Sequence, residues 1–190
     1  MTSKVCLARQ LLFLGALSLL LSGCPAMLSG RVTTIAETPP PQQSLFMVIS
    51  QNSASLRERV IVELIEKKMS ERGFLKASSP ELAKVTVHYK YSIGPSRTDV
   101  SVSSSPDFVY GGKQVSSSSS TTYPRTFEIA VMGNVKSKVS GKIEIIWLGE
   151  VYSSGSSADM TLLAPNFIDI LFENYGKTVT NQKFSRQINW

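Results

Sequence analysis

An apolar run near the start of the chain limits what its first residues can form. The run covers residues 11–21 and follows two positive charges, Lys4 and Arg9. A helix that crosses about 30 Å of hydrocarbon needs about 20 apolar residues. An eleven-residue run in which Ser18 is the single polar residue, behind a basic segment, is typical of the hydrophobic region of a secretory signal peptide. We therefore predict that residues 1–23 are an export signal and that the remaining chain folds in the cell envelope.

The residues behind this run indicate where the signal ends. Leu21, Ser22 and Gly23 precede Cys24, so that a branched residue and two small ones stand before a cysteine. This order resembles the lipobox of bacterial lipoproteins. The resemblance implies cleavage between Gly23 and Cys24 and attachment of fatty acyl chains such as palmitate to Cys24. An ordinary signal peptide with an incidental Cys24 is the alternative.

Cysteine usage and charge exclude several classes of protein. Cys6 would leave with the signal, so no disulfide, thiolate metal site or cysteine nucleophile is expected in the mature chain. Loss of Lys4 and Arg9 leaves 18 of the 20 basic residues against 14 acidic ones, a net charge of +4. The basic residues are scattered, unlike those of a nucleic-acid-binding surface. We expect no nucleic-acid partner, although the charge favours contact with anionic lipid headgroups or other polyanions.

The composition changes twice along the mature chain. Residues 24–43 hold three consecutive prolines at positions 39–41 and are predicted as a lipidated cysteine followed by a Pro-rich tether. Residues 44–190 are predicted to form a single α+β domain. Residues 96–124 are serine-rich and offer few side chains to bury, so a mobile loop is predicted there. A loose hairpin and a partner-binding loop are the alternatives.

Hydrophobic spacing predicts two helices. Residues 55–73 form the first, with Ser55 and Glu58 as a capping box and Gly73 at its end. Leu64 and Ile65 lie on its apolar stripe and are expected to be buried. The second helix is predicted over residues 165–176, because a proline suits a first turn and a glycine suits a helix end.

Alternation of polar and apolar residues predicts the strands. A short apolar run at residues 44–50 is predicted to start the folded domain. Residues 85–93, 125–134 and 142–154 follow as further strands, and the polar tail from residue 178 has the pattern of an edge strand. In the segment 142–154, alternation places Ile143 and Ile145 on the same face as Trp147.

The order of these segments resembles a family of bacterial lipoproteins. The lipobox is followed by a short strand, a helix ending in Gly73 and Phe74, and a V-x-Y-x-Y strand. Trp147-Leu148-Gly149-Glu150 and the Pro-led helix come later. This order is similar to lipoproteins carrying the domain of unknown function catalogued as DUF4136, over residues 44–177. The resemblance implies an α+β two-layer sandwich of two main helices on an antiparallel sheet, an envelope location, and no assigned reaction.

Residues that could carry chemistry are few. His88 is the only histidine, no Gly-x-Ser-x-Gly elbow is present, and the carboxylates are dispersed. We therefore predict no metal, no cofactor and no enzyme, and prefer a non-catalytic accessory that binds or scaffolds another envelope component. An envelope hydrolase that uses Ser, Asp or Glu residues is the alternative.

Three aromatic residues are candidates for contact with a partner: Trp147, Tyr152 and Tyr110. Burial of Trp147 in the core is the competing interpretation. Pro25 follows Cys24 where many inner-membrane lipoproteins have an aspartate, so anchoring in the outer membrane, facing the periplasm, is expected. The sequence leaves the oligomeric state open.

Overall fold

The computed structural model describes residues 26–38, 43–50, 55–106, 113–136 and 143–188. Leu28–Arg186 form one compact unit. A second unit, Met1–Met27 with Gln187–Trp190, lies mostly outside the described residues. The predicted signal peptide, Gly23, Cys24 and Tyr110 also lie outside them.

Within these ranges, eight strands form a mixed sheet. They are β1 (Ala26–Ala36), β2 (Leu45–Ile49), β3 (Leu75–Lys76), β4 (Val85–Ile93), β5 (Arg97–Pro106), β6 (Lys113–Lys136), β7 (Ile143–Gly155) and β8 (Val179–Ile188). Their order is β3-β2-β4-β6-β7-β1-β8, and β5 pairs with β6 outside this path. β2 runs parallel to β3 and β4, whereas β6 is antiparallel to β4, β5 and β7 and β1 is antiparallel to β7.

The predicted fold class, an α+β two-layer sandwich on an antiparallel sheet, is wrong. The chain is mostly β-strand, and its sheet is larger than predicted and mixed. The first helix accounts for the parallel pair, because it crosses from the end of β2 to the start of β4 as parallel strands require. Two segments that we predicted as tether and loop supply the additional strands.

Part of the predicted tether, residues 26–36, lies in the sheet. Residues 26–36 form β1, which pairs with β7 from Gly30 opposite Ser153 to Ala36 opposite Trp147. Leu28, Val32 and Thr34 are buried on one face of this strand. Their even spacing is the period of a half-buried strand, and this signal competes with the neighbouring prolines. Residues 39–42, which hold those prolines, lie outside the described residues.

The described residues of the predicted serine-rich loop form two paired strands. β5 pairs with β6 over ten positions, from Arg97 opposite Thr122 to Pro106 opposite Lys113. Threonine and valine favour strands, and cross-strand hydroxyl contacts between serines support the pairing without burial. Residues 107–112, between the two strands, lie outside the described residues.

Among the described residues, two helices lie on the sheet, α1 (Leu56–Glu71) and α2 (Met160–Glu173), and a 3-10 turn covers Pro80–Leu82. The predicted capping box of α1 is wrong, because Ser55 makes no side-chain cap hydrogen bond. The predicted end at Gly73 is confirmed by its φ of 86°.

The second helix starts earlier than predicted. Asp159 is its N-cap and accepts a hydrogen bond from the Thr161 N–H at 2.8 Å. Pro165 therefore lies inside α2 rather than in its first turn. Gly176, with a φ of 75°, follows the end of the helix as predicted.

A chain of aromatic rings fills the space between the sheet and the helices. Trp147 lies 5.0 Å from Tyr175 and 6.2 Å from Phe172, measured between ring centroids. Phe74 extends the chain from Tyr175 to Phe46. These contacts place the core on one face of the sheet.

The predicted helix stripe and strand faces are partly correct. Ile65 is fully buried, whereas Leu64 is half-buried. In β7 the pairing shifts by one residue, so that Ile145 lies opposite Met132 while Trp147 lies opposite Val131. A β-bulge of this kind moves Ile145 to the other face, so its predicted position beside Trp147 is wrong.

None of the helices in the described ranges is long and apolar enough to cross a membrane.

Candidate functional site

The structure separates the sequence-predicted partner residues. Trp147 is fully buried in the aromatic core, so its predicted contact with a partner is wrong. Tyr152 lies on β7 with 48% of its surface exposed and is accessible. Tyr110 is in the undescribed segment between β5 and β6.

The titratable side chains that the structure describes do not converge on a metal site. His88 is half-buried on β4 opposite Ala130 of β6. Among the residues that the structure describes, no group of three His, Cys, Asp or Glu side chains could hold a metal ion.

Glu58 takes part in a polar cluster that sequence reasoning missed. The Tyr91 hydroxyl donates to Glu58 Oε1 at 2.8 Å, and the Tyr89 hydroxyl donates to Glu58 Oε2. The Ser50 hydroxyl lies 3.2 Å from that of Tyr89. Burial and then the hydrogen bond to Glu58 raise the pKa of Tyr89 and of Tyr91 above the usual value. The cluster joins the first turn of α1 to β4 and explains why Glu58 does not cap its own helix.

A groove of about 380 Å³ lies next to this cluster, between β2 and α1. Its apolar lining comes from two strand residues and one helix residue, and charged side chains surround it. The lining residues are Val48, Ile49, Ser50, Arg59, Val62, Glu63, Glu66 and Lys76. We call this site the α1–β2 groove.

The α1–β2 groove contains an open strand edge. β3 pairs with β2 only at Leu45 and Phe46, and the Ala77 N–H donates to the Phe46 carbonyl at 2.8 Å. Backbone groups alternate between the two edges of a strand, so the Val48 N–H and C=O face the same edge as the Phe46 carbonyl. Within the described ranges no strand lies beside Val48 on that edge.

The charges around the α1–β2 groove differ in their partners. Lys76 Nζ lies 2.6 Å from Glu66 Oε2, and this ion pair spans the groove from β3 to α1. Arg59 and Glu63 take part in none of the ion pairs found among the described residues. One cation and one carboxylate of the rim therefore remain available to a ligand.

The helical side of the groove has a sequence signal. Arg59, Val62, Glu63 and Glu66 are spaced i, i+3, i+4 and i+7, which places them on one face of α1. In the sequence this face is polar and is indistinguishable from a solvated surface. The groove is visible only once β2 is known to lie beside that face.

The comparisons with known proteins show a fold and no family. No protein-family model matches the chain, and no curated protein matches it. The chain is similar to the crystal structure of a PDZ domain protein from Parabacteroides distasonis, with a TM-score of 0.54 and 12% sequence identity. The match covers 90% of this chain and 40% of that one, so the chain spans less than half the length of that protein. At this identity the likeness shows the fold alone, and the resemblance to DUF4136 lipoproteins stays a prediction.

Proposed function

We propose that the mature protein is a lipid-anchored, non-catalytic component of the bacterial cell envelope that binds an extended segment of a partner protein in the α1–β2 groove. The anchor would be acylated Cys24, in the outer membrane facing the periplasm. The lipobox-like residues before Cys24 support the anchor. The observation that carries the binding role is the open edge of β2 beside an apolar groove.

An extended segment suits the α1–β2 groove because the backbone of the segment can pair with the open edge of β2. A peptide that continues the line of β3 would meet the N–H and C=O of Val48 and add a short strand to the sheet. Its side chains would alternate, so that every second one enters the space between Val48 and Val62. The similar protein is named a PDZ domain protein, and PDZ domains take peptides by strand addition.

The rim charges suggest the composition of the segment. An acidic side chain of the ligand would pair with Arg59 and a basic one with Glu63. Glu66 is already paired with Lys76. Pairs at the rim favour the correct register more than they add affinity.

The side chains that line the α1–β2 groove give little support to the alternative function, a hydrolase. Its lining has no histidine, and its two carboxylates, Glu63 and Glu66, share it with Arg59 and Lys76. Glu58, nearby, already accepts hydrogen bonds from two tyrosines. We therefore propose binding and no reaction.

A peptide array tests the groove. The mature chain is expected to select decapeptides with alternating apolar residues. Val62→Arg would fill the groove with a charged side chain and is expected to weaken binding of the selected peptides at least tenfold, about 1.4 kcal/mol. Leu56→Arg is the control, because Leu56 is on the same helix, is 69% exposed and does not line the groove. Equal binding by the Val62→Arg chain would contradict the site.

Fatty-acid labelling tests the anchor. Cells that express the full chain are expected to incorporate labelled palmitate into the protein, and Cys24→Ala is expected to abolish the label and leave the signal attached. Cys6→Ala is the control and should retain the label. Label on the Cys24→Ala protein would contradict the anchor.

A further inference from the structure

Both helices lie on the same face of the sheet. Phe167 of α2 contacts Phe127 of β6, and Glu58 of α1 accepts a hydrogen bond from Tyr91 of β4. Side chains alternate between the two faces along a strand, so the neighbours of these strand residues point to the other face. Neither helix covers that face, which we call the open face. It is formed by the even-numbered residues of β4, of β6 between 126 and 132 and of β7 between 148 and 152, with the odd-numbered residues of β2 and of β1 between 31 and 35.

A largely apolar row of side chains crosses the open face. Its members pair one with the next on five successive strands, and they are Ile49, His88, Ala130, Leu148 and Ile35. Side chains directly opposite one another on adjacent strands lie about 4.5–5.5 Å apart, so the row is a continuous surface. Ile35 at one end is 45% exposed, and Ile49 at the other end is 36% exposed. A face that met only water would be polar at these positions.

The next row of the open face is charged and unbalanced. Lys90 Nζ lies 3.1 Å from Glu128 Oε2, and Glu150 lies directly opposite Glu128 on the following strand. Like charges placed opposite one another destabilise a sheet. Glu150 is exposed and takes part in none of the ion pairs found among the described residues. One carboxylate of this row therefore lacks a cation.

The two halves of the open face, on either side of β6, have different shapes. A hollow of about 180 Å³ lies in the half formed by β2 and β4, and its lining includes Ile49, His88 and Lys90. The half formed by β7 and β1 instead presents the exposed side chain of Ile35 and the unpaired Glu150. One half thus offers a hollow with a cation, and the other offers an apolar projection with a carboxylate.

A two-fold axis parallel to β6 would bring these unlike halves together. β6 is the middle one of the five strands that carry the apolar row. Rotation about this axis lays β4 of one copy over β7 of a second copy and β2 over β1, and it keeps each row at its own level. Ile49 then faces Ile35 of the second copy, and His88 faces its Leu148. Ala130 lies at the axis, where its small side chain permits the usual spacing of about 10 Å between packed sheets.

The same rotation balances the charged row. Lys90 on β4 comes to lie over Glu150 of the second copy, because both residues are in the row next to Ala130 and are equally far from β6. The two-fold symmetry creates this contact twice. Each Glu150 thereby gains the cation that it lacks within its own chain.

The size of the open face is sufficient for a dimer. Five strands at about 4.8 Å span roughly 24 Å, and the four levels of side chains from residue 126 to residue 132 of β6 span roughly 26 Å. Each copy would contribute roughly 620 Å². The total of about 1,200 Å² is at the lower limit of specific and stable interfaces.

We propose that two copies of the chain pack open face against open face about an axis along β6, as the two layers of a β-sandwich. Aligned sheets in such sandwiches cross at about 30°, which moves the rows little close to the axis. The helices of both copies lie on the outer surfaces of this dimer. The inference is independent of the lipid anchor and of peptide binding in the α1–β2 groove.

Sedimentation equilibrium tests the dimer on the protein as it is purified from cells, in a neutrally buoyant detergent, so that the mass is read whether or not the chain is acylated. The unaltered chain is expected to have the mass of two copies. Ile35→Arg places a charge in the apolar row and is expected to give a monomer. Leu162→Arg is the matched control and should remain a dimer, because Leu162 is 53% exposed on α2, behind the other face.

A charge reversal tests the two-fold pairing. Glu150→Lys would oppose Lys90 of the second copy and is expected to weaken the dimer at least about tenfold. Within one chain the same change replaces a like-charge contact with Glu128 by an opposite-charge one, so unfolding is not expected. Lys90→Glu added to Glu150→Lys restores opposite charges across the interface and is expected to restore the dimer.

Each other result would overturn the proposal. A monomeric unaltered chain would leave the open face without a second copy. A dimer that survives both Ile35→Arg and Glu150→Lys would be formed by another surface. A different protein that copurifies with a monomer and is lost from Ile35→Arg would assign the open face to that protein. Failure of the double charge reversal to restore the dimer would overturn the axis along β6.

Discussion

The two halves of β6 have the same backbone pairing and opposite surroundings. Residues 123–136 lie between β4 and β7, and Phe127, Ile129 and Val131 are fully buried under the helices. Residues 113–122 pair with β5 alone and form a two-stranded arm with it, and the side chains of residues 115–120 are exposed. One continuous strand thus passes from the core of the domain into solvent.

The comparison shows that backbone pairing is enough to form a strand, whereas burial of apolar side chains stabilises the fold. A fully buried Val, Ile or Phe contributes about 1.5–3 kcal/mol to the free energy of folding. A cross-strand pair such as Ser101 and Ser118 contributes roughly 0.2–1 kcal/mol. The helix-covered half should therefore account for the stability of the domain, whereas the arm should depend on it.

The largest expected effect tests the aromatic core that packs against residues 123–136 of β6. Trp147→Ala removes the fully buried ring that contacts Phe172 and Tyr175 and should destabilise the domain by about 3–5 kcal/mol. Urea denaturation followed by circular dichroism gives the free energy of unfolding. Tyr152→Ala, half-exposed on the same strand, is the control and should cost much less. Similar losses for both variants would show that burial does not separate these positions.

Gly149, in β7 like Trp147, tests how tightly this core is packed. A Cβ on Gly149 would lie 2.5 Å from Trp147 Cη2 and 2.8 Å from Leu171 Cδ2, so Gly149→Ala should cost about 1–3 kcal/mol. The same measurement on Gly133→Ala is the control, because its nearest heavy atom would be 3.8 Å away. A stable Gly149→Ala chain would mean that the aromatic core can shift to admit a methyl group.

The part of the fold around the core is also the part that the sequence predicts well. Residues 85–93 alternate between apolar and polar side chains, and β4 has these bounds. Gly73 ends α1 as predicted, because its backbone needs a left-handed conformation. The face of Ile145 could not be predicted, because the bulge in β7 depends on pairing with β6.

The arm and the sites were hidden from sequence reasoning for a different reason. Serine-rich segments resemble disordered ones in composition, and only the register of β5 with β6 brings their hydroxyls into pairs. Likewise, Val48 and Val62 form a groove only because β2 lies beside α1. Long-range pairing between segments is the information that local composition lacks.

A smaller effect, on the free energy of unfolding at high pH, tests the burial of the Tyr175 hydroxyl in the core. Burial raises the pKa of Tyr175, so the folded state holds this proton more tightly than the unfolded state does. Its contribution to stability is complete below the ordinary tyrosine pKa of about 10 and is lost as the pH rises above it. Tyr175→Phe should therefore reduce the loss of unfolding free energy between about pH 8 and pH 11.

At neutral pH Tyr175→Phe should have little effect on stability, because the buried hydroxyl has no hydrogen-bond partner among the described residues. The unaltered chain, measured over the same range of pH, is the reference. A Tyr175→Phe chain with the full alkaline loss would assign that loss to other groups.

The smallest expected effect compares two valines of the same strand. Val115→Ala, in the arm, should change the free energy of unfolding by no more than about 0.5 kcal/mol, because the side chain is 65% exposed. Val131→Ala, in the covered half, removes two methyl groups from a fully buried position and should cost roughly 1.5–3 kcal/mol. Both are measured by urea denaturation of the chain without its lipid, so that no membrane contributes. If Val115→Ala costs as much as Val131→Ala, the side chain of Val115 is covered in solution despite its exposure in the free chain.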